Sequence, residues 1–95
     1  MTVLLVDDSA AVRTRLARLL ADLGGISVEE AEDSGSALAS LDRIHPDAVV
    51  LDIRLGAESG LQILRAIKQS PAPPLVIMLT SHPTEHHRRW CREAL

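Results

Sequence analysis

The sequence predicts an α/β fold in which one parallel sheet carries helices on both faces. Short apolar runs, typical of buried strands, alternate with segments whose apolar residues repeat at helical spacing, and they do so four times within 95 residues. Strands and helices that alternate in this way form parallel sheets with right-handed crossovers. The length suits one small domain with a modest core. We therefore expect a single doubly wound domain over residues 1–95.

The first two strand–helix units occupy the first half of the chain. Residues 2–6 predict a strand, and Ser9 is a favourable N-cap for a helix that ends at the glycine pair 24–25. The apolar stripe expected to face the sheet is Val12, Leu16, Leu19, Leu20 and Leu23. Residues 26–31 predict a weaker strand, whose two glutamates are typical of a sheet edge. Asp33 or Ser34 then caps a second helix, with Ala37, Leu38, Leu41 and Ile44 inward, and His45-Pro46 ends it.

The second half of the chain contains the most apolar strand. Residues 47–52 form a short β-branched run with an acid at its end, which predicts a strand buried on both faces. A loop through Gly56 and Glu58 follows, and we expect Ser59 to cap a third helix with Leu61, Leu64 and Ile67 on one face. After a proline-rich connection, residues 75–79 predict a fourth strand that ends at Thr80-Ser81. A fourth helix is expected from His82 through Trp90.

The bulk composition excludes several classes of protein. The formal net charge is -3 at pH 7, which argues against a general nucleic-acid binder, since such proteins carry a basic surface. Cys91 is the single cysteine, so an internal disulfide is excluded and a reducing compartment fits. The apolar runs are too short to span a bilayer. These observations predict a cytoplasmic protein with no membrane contact and no direct nucleic-acid contact.

Polar residues follow three of the predicted strands, as Asp7-Asp8, Asp52 and Thr80-Ser81. A single acid at a strand end is more often a helix cap than a ligand. In a parallel sheet, however, these strand ends share one edge, where converging carboxylates repel one another and need a cation between them. Carboxylate oxygens suit Mg²⁺. A metal beside a further carboxylate and a hydroxyl is an arrangement typical of phosphoryl transfer.

Four segments together resemble the receiver domain of two-component response regulators. They are LVDDS at 5–9, PDAVVLD at 46–52, SGL at 59–61 and VIMLTS at 76–81. The resemblance covers the whole chain in order and implies a flavodoxin-like sheet with strand order 2-1-3-4. It also implies a signalling switch in the cytoplasm, which takes a phosphoryl group from a sensor histidine kinase or a phosphotransfer protein. Such a switch catalyses only its own phosphorylation and dephosphorylation, so we do not expect an enzyme.

The resemblance also assigns residues to roles. Asp52 matches the phosphoacceptor. Asp7 and Asp8 match the acidic pair that holds Mg²⁺ together with Asp52, and the backbone carbonyl of Arg54 matches a further metal ligand. Two more positions follow the fourth strand. They are Thr80, whose hydroxyl matches the switch group, and Ser81, whose backbone amide is expected to contact a phosphoryl oxygen.

The sequence departs from this family in two ways. Gly56 replaces a proline in the loop after the phosphoacceptor, and the chain ends before the family's fifth strand, its lysine and the fifth helix. Lys68 is the only lysine, and its helical position lies away from the site. We therefore expect a receiver domain incomplete at its C-terminus, whose bare fourth-strand edge favours self-association. Arg13 and Arg15 follow the acidic pair; one of them could contact a kinase or the phosphoryl group, but we expect them to be solvated.

Two other functions remain open from the sequence. One is a phosphorylation-independent dimerisation or interaction module, which the absent lysine favours. The other is a small phosphohydrolase with an aspartyl nucleophile. Such enzymes usually have a second acid two residues after the nucleophile, where this sequence has Arg54.

Overall fold

The main sheet has four parallel strands. The structure is a computed structural model that describes residues 1–55 and 58–79. The strands of this sheet are β1 (Thr2–Val6), β2 (Ser27–Ala31), β3 (Ala48–Asp52) and β6 (Leu75–Leu79), and they lie in the order β2-β1-β3-β6. The helices are α1 (Ala10–Asp22), α2 (Ser34–Ile44) and α3 (Leu61–Lys68). Since β6 is the predicted fourth strand, the predicted order 2-1-3-4 is confirmed; the predicted fourth helix lies outside the described residues.

Two short strands interrupt the predicted loop after β3. They are β4 (Arg54–Leu55) and β5 (Glu58–Ser59), which pair in antiparallel fashion, with Arg54 opposite Ser59. The side chain of Leu55 is buried in the core, which ties this excursion to the sheet. The sequence predicted only a loop here and did not predict this strand pairing.

The core lies on both faces of the sheet, because successive strand residues point in opposite directions. On one face, β1 and β3 pack against α2 and α3, with the buried residues Leu4, Val6, Ala37, Val49, Leu51, Ile63, Leu64 and Ile67. On the other face, Val3, Leu5 and Ala48 pack against Leu16, Ala17 and Leu20 of α1. The predicted two-sided α/β architecture is confirmed.

Helix α1 covers its face less completely than predicted. Leu16 and Leu20 pack against the sheet, but no residue of α1 is fully buried, and the side chains of Leu19 and Leu23 are 57% and 73% exposed. Leu23 follows the last helical residue, and Leu19 is rotated about 60° from Leu16 at 100° per residue. Fewer residues of α1 therefore face the sheet than the five that the sequence predicted.

The helix starts agree with the sequence in two cases and differ in the third. Ser9 caps α1, and its Oγ accepts from the N–H of Val12 at 3.3 Å. Asp33, rather than Ser34, caps α2 in a capping box with Ser36. The N-cap of α3 is Gly60 rather than the predicted Ser59, but the Oγ of Ser59 still accepts from the N–H of Leu61, the first helical residue, at 3.1 Å.

The strand register brings the ends of β1 and β3 to one level. Val6 lies opposite Leu51, so the residues that follow, Asp7 and Asp52, come at the same height of the sheet. The N–H of Asp7 still donates to the carbonyl of Ala31 at 3.1 Å, which extends the ladder with β2 by one residue. The carboxyl edge of the sheet is therefore an ordered platform for these acids.

Candidate functional site

The structure brings three carboxylates together at the carboxyl edge of the sheet. One oxygen from each of Asp7, Asp8 and Asp52 lies within 4.8 Å of the others. Asp7 is buried with 6% of its surface exposed, Asp52 is half-buried and Asp8 is exposed. The cluster thus has one closed side, formed by the sheet, and one open side through which a ligand can enter.

Asp7 is held by hydrogen bonds from three directions. The N–H of Asp7 donates to the carbonyl of Ala31 on β2, and its Oδ1 accepts from the backbone N–H of Ser9 at 2.8 Å. Its carbonyl oxygen accepts from the guanidinium of Arg13. The same guanidinium donates through Nε to Oε1 of Glu30 on β2 at 3.0 Å. Asp7 is therefore fixed to α1 and, directly and through Arg13, to β2.

The prediction that Arg13 is solvated is wrong. Its side chain is only 14% exposed, whereas Arg15 is exposed as expected. Arg13 lies four residues after the N-cap and on the flank of α1 that faces β2, where Glu30 supplies a partner. The sequence gives little indication of this contact. Arg13 and Glu30 belong to neighbouring predicted elements, but they are 17 residues apart in the sequence.

Asp52 is positioned by the turn that follows β3. Its Oδ1 accepts from the N–H of Arg54 at 3.0 Å, and the N–H of Gly60 donates to the carbonyl of Ile53 at 2.7 Å. Gly60 packs so closely that a Cβ atom there would lie 2.8 Å from the carbonyl oxygen of Asp52. This contact explains why the N-cap residue of α3 is a glycine, and sequence reasoning did not identify it.

The environment raises the pKa of Asp52 above its usual value of 3.8. The main cause is burial, which penalises the charged carboxylate, and the negative charges of Asp7 and Asp8 act in the same direction. The hydrogen bond from the N–H of Arg54 favours the charged form and opposes the rise. Three mutually repelling carboxylates with hard oxygen donors are what a divalent cation such as Mg²⁺ would stabilise, so the residues fit that ion.

The sequence also predicts three further site residues, Arg54, Thr80 and Ser81. Arg54 follows the turn at the edge of the cluster, and its carbonyl as a metal ligand stays a prediction. Thr80 and Ser81 lie outside the described residues.

Within the part of the chain that the structure describes, no helix is long and apolar enough to cross a membrane.

Comparison with known proteins relates this architecture to one family. A family profile described as response regulator receiver domain matches residues 3–94. The positive alginate biosynthesis regulatory protein of Pseudomonas aeruginosa is 44% identical over 84 residues, which are 86% of this chain and 34% of that protein. The transcriptional regulatory protein TrcR of Mycobacterium tuberculosis is 40% identical over 79 residues, which are 83% of this chain and 30% of that protein. The chain thus spans about a third of the length of these curated relatives.

A solved structure agrees with the sequence relatives. The N-terminal domain of a response regulator receiver protein from Methanoculleus marisnigri JR1 superposes with a TM-score of 0.80 at 31% identity, and the match covers 99% of this chain and 78% of that one. The match over residues 3–94 and the strand order agree with one another. This chain belongs to the response regulator receiver domains, which are signalling modules of two-component systems.

Proposed function

We propose that the chain is a phosphoacceptor in which Asp52 takes a phosphoryl group from a histidine of a sensor kinase or a phosphotransfer protein. One Mg²⁺ is held by Asp7, Asp8, Asp52 and the backbone carbonyl of Arg54. Receiver domains in general bind Mg²⁺ at an acidic pocket and interact with histidine kinases or phosphotransfer proteins. The single observation that supports the proposal most is the convergence of carboxylate oxygens within 4.8 Å at the sheet edge.

The transfer uses the Asp52 carboxylate as a nucleophile. A carboxylate oxygen attacks phosphorus, a P–O bond forms, the P–N bond to the donor histidine breaks, and its electron pair returns to the imidazole nitrogen. The N–H of Arg54 and the close packing of Gly60 orient Asp52 for this attack. Bound Mg²⁺ supplies positive charge that offsets the charge of the phosphoryl oxygens. Asp7, held in place by Ser9 and Arg13, is pre-organised to bind that ion.

The response to phosphorylation is assigned to residues after β6. We expect the hydroxyl of Thr80 and the backbone amide of Ser81 to contact the phosphoryl oxygens and so to change the affinity for a partner. Both residues lie outside the described part of the chain. The module then acts as a cytoplasmic switch that catalyses only its own phosphorylation and dephosphorylation.

Phosphorylation by a small phosphoryl donor tests this function. The full chain is incubated with acetyl phosphate, with Mg²⁺ or with excess EDTA, and its intact mass is measured. We expect one added phosphoryl group with Mg²⁺ and none with EDTA. Asp52→Asn should gain none, whereas Asp42→Asn, which changes an exposed aspartate on α2, should behave as the unmodified chain.

Two results would contradict the proposal. Phosphorylation that persists in Asp52→Asn would move the acceptor elsewhere. A folded chain that binds Mg²⁺ but gains no phosphoryl group would instead favour the phosphorylation-independent interaction module.

We also propose self-association through the outer edge of β6. Among the described strands, β6 pairs only with β3, and the side chains of Leu75 and Ile77 are 64% and 47% exposed. An unpaired strand edge beside exposed apolar side chains is a template for pairing with a second chain. Sedimentation velocity at rising protein concentration should show dimers that Ile77→Lys weakens; a monomer at every concentration would contradict this proposal.

A further inference from the structure

The side chain of Arg13 joins three elements beside the acidic cluster. It extends from α1, donates through Nε to Glu30 of β2 at 3.0 Å, and donates through Nη1 to the backbone carbonyl of Asp7 at the end of β1. The arginine is 14% exposed, while the glutamate is 45% exposed. A planar guanidinium is suited to this task, because its fixed fork of N–H groups can hold two acceptors at once.

The carbonyl that Arg13 holds belongs to the peptide bond between Asp7 and Asp8. That peptide unit is planar, so only the dihedral angles on either side of it can rotate. A hydrogen bond that fixes the direction of this carbonyl therefore limits ψ of Asp7 and φ of Asp8 together. These two angles set the relative directions of the two Cα–Cβ bonds from which the carboxylates extend.

The contact to Glu30 ties the arginine to the strand that already holds Asp7. The N–H of Asp7 donates to the carbonyl of Ala31, the residue after Glu30. The two hydrogen bonds of Arg13 and this ladder bond form a closed ring around the Asp7 backbone. Glu30 also offsets the positive charge of the guanidinium, which by itself would repel a cation at the carboxylates.

We propose that Arg13 is a positioning residue for the acidic pair: through the Asp7–Asp8 peptide it orients both carboxylates toward Asp52, so that all three bind one divalent cation. Arg13 does not itself touch the cation. This inference rests on the proposed function, because it assumes that the cluster binds Mg²⁺. It adds a residue of α1, held by Glu30, to the groups that determine metal affinity.

The sign of the effect separates positioning from simple electrostatics. Removal of a positive charge near a cation site should strengthen Mg²⁺ binding by Coulomb's law alone. Loss of a group that orients a metal ligand should weaken it, typically by 10- to 100-fold for supporting hydrogen bonds around metal sites. For Arg13→Met we therefore expect Mg²⁺ affinity to fall about tenfold or more.

Calorimetric titration of the full chain with MgCl₂ gives the test. Arg13→Met is compared with Arg15→Met, which removes the same charge from an exposed position of the same helix and should bind Mg²⁺ as tightly as the unmodified chain or slightly more tightly. Urea unfolding without metal is measured in parallel. A purely structural role would lower the unfolding midpoint and leave the Mg²⁺ affinity of the folded protein unchanged.

Arg13→Lys keeps the test valid if the methionine variant does not fold. Lysine keeps the charge but cannot reach Glu30 and the Asp7 carbonyl together, so we expect an intermediate loss of Mg²⁺ affinity. Unchanged affinity in the lysine variant, or unchanged or tighter binding in the methionine variant, overturns the inference. If the unmodified chain binds no Mg²⁺, the proposed function itself fails instead.

Discussion

Gly60→Ala places a single methyl group against the backbone of the proposed phosphoacceptor. Gly60 has φ -71° and ψ -5°, a conformation that alanine adopts without strain, so any effect comes from the added Cβ atom. That atom would lie 2.8 Å from the carbonyl oxygen of Asp52, and 3.3 Å from both Cα of Ile53 and Cδ1 of Leu51. The first of these distances is shorter than real Cβ contacts, so the oxygen or the start of α3 must shift.

The structure restricts the ways in which this clash can relax. The N–H of Gly60 donates to Ile53 at 2.7 Å, so a retreat of the helix start stretches that hydrogen bond. A shift of the Asp52 carbonyl instead moves the end of β3. An added methyl group in a tight site costs about 1–3 kcal/mol. Alanine is also a poorer N-cap than glycine, by about 1 kcal/mol, and this roughly cancels the 0.4–1 kcal/mol gained from a less flexible unfolded chain.

We therefore expect Gly60→Ala to lower the free energy of unfolding by about 1–3 kcal/mol and to weaken Mg²⁺ binding. Urea unfolding followed by circular dichroism measures the first effect, and metal titration of the folded variant measures the second. Gly35→Ala, within α2, is the matched control, because the added Cβ would meet only Oδ1 of Asp33, at 3.7 Å. The control should gain about 0.5–1 kcal/mol from helix propensity. If Gly60→Ala were as stable as the unmodified chain, the close packing against Asp52 would be refuted.

Three further predictions concern the charge of Asp52, the start of α1 and the core. Asp52→Asn should raise the free energy of unfolding of the metal-free protein at neutral pH. Because the pKa of Asp52 is raised in the folded state, its negative charge costs no stability below pH 3.8 and destabilises the protein as the pH rises through the folded pKa. The stabilities of the two proteins should therefore converge in acid, and equal stability at pH 7 would contradict this prediction. Ser9→Ala removes the cap that accepts from Val12 and should cost about 1 kcal/mol in urea unfolding, with no loss as the opposing result. Ile63→Ala removes most of a fully buried side chain and should lower the free energy of unfolding by about 2–5 kcal/mol. Leu23→Ala changes a side chain that is 73% exposed and should alter the stability little. Similar losses in both variants would contradict the assigned core.

The sheet and the gathering of acids could be predicted from the sequence because both depend on local pattern. The β-branched run ending in Asp52 and the apolar run ending in Asp7 each have the length and composition of a buried strand. Their alternation with helices requires a parallel sheet, and a parallel sheet brings strand ends to one edge. The sequence could therefore predict which acids would meet without any knowledge of distances.

The supporting contacts could not be predicted because they depend on tertiary packing. An arginine four residues into a helix has the same local pattern whether it is solvated or paired with a distant glutamate, as Arg13 is with Glu30. Serine is a better intrinsic cap than glycine, yet Gly60 is the N-cap of α3, because the carbonyl of Asp52 leaves no room for a side chain there. Leu19 fits the helical period but is rotated away from the sheet, which the period alone does not resolve.

Titration of the unmodified full chain with Mg²⁺ is the decisive experiment for the metal site. We expect a single Mg²⁺ to bind per chain, and we expect Asp7→Asn to abolish this binding while the protein remains folded. Absence of Mg²⁺ binding in the folded chain, or binding that Asp7→Asn leaves unchanged, would contradict a divalent-cation site built by Asp7, Asp8 and Asp52.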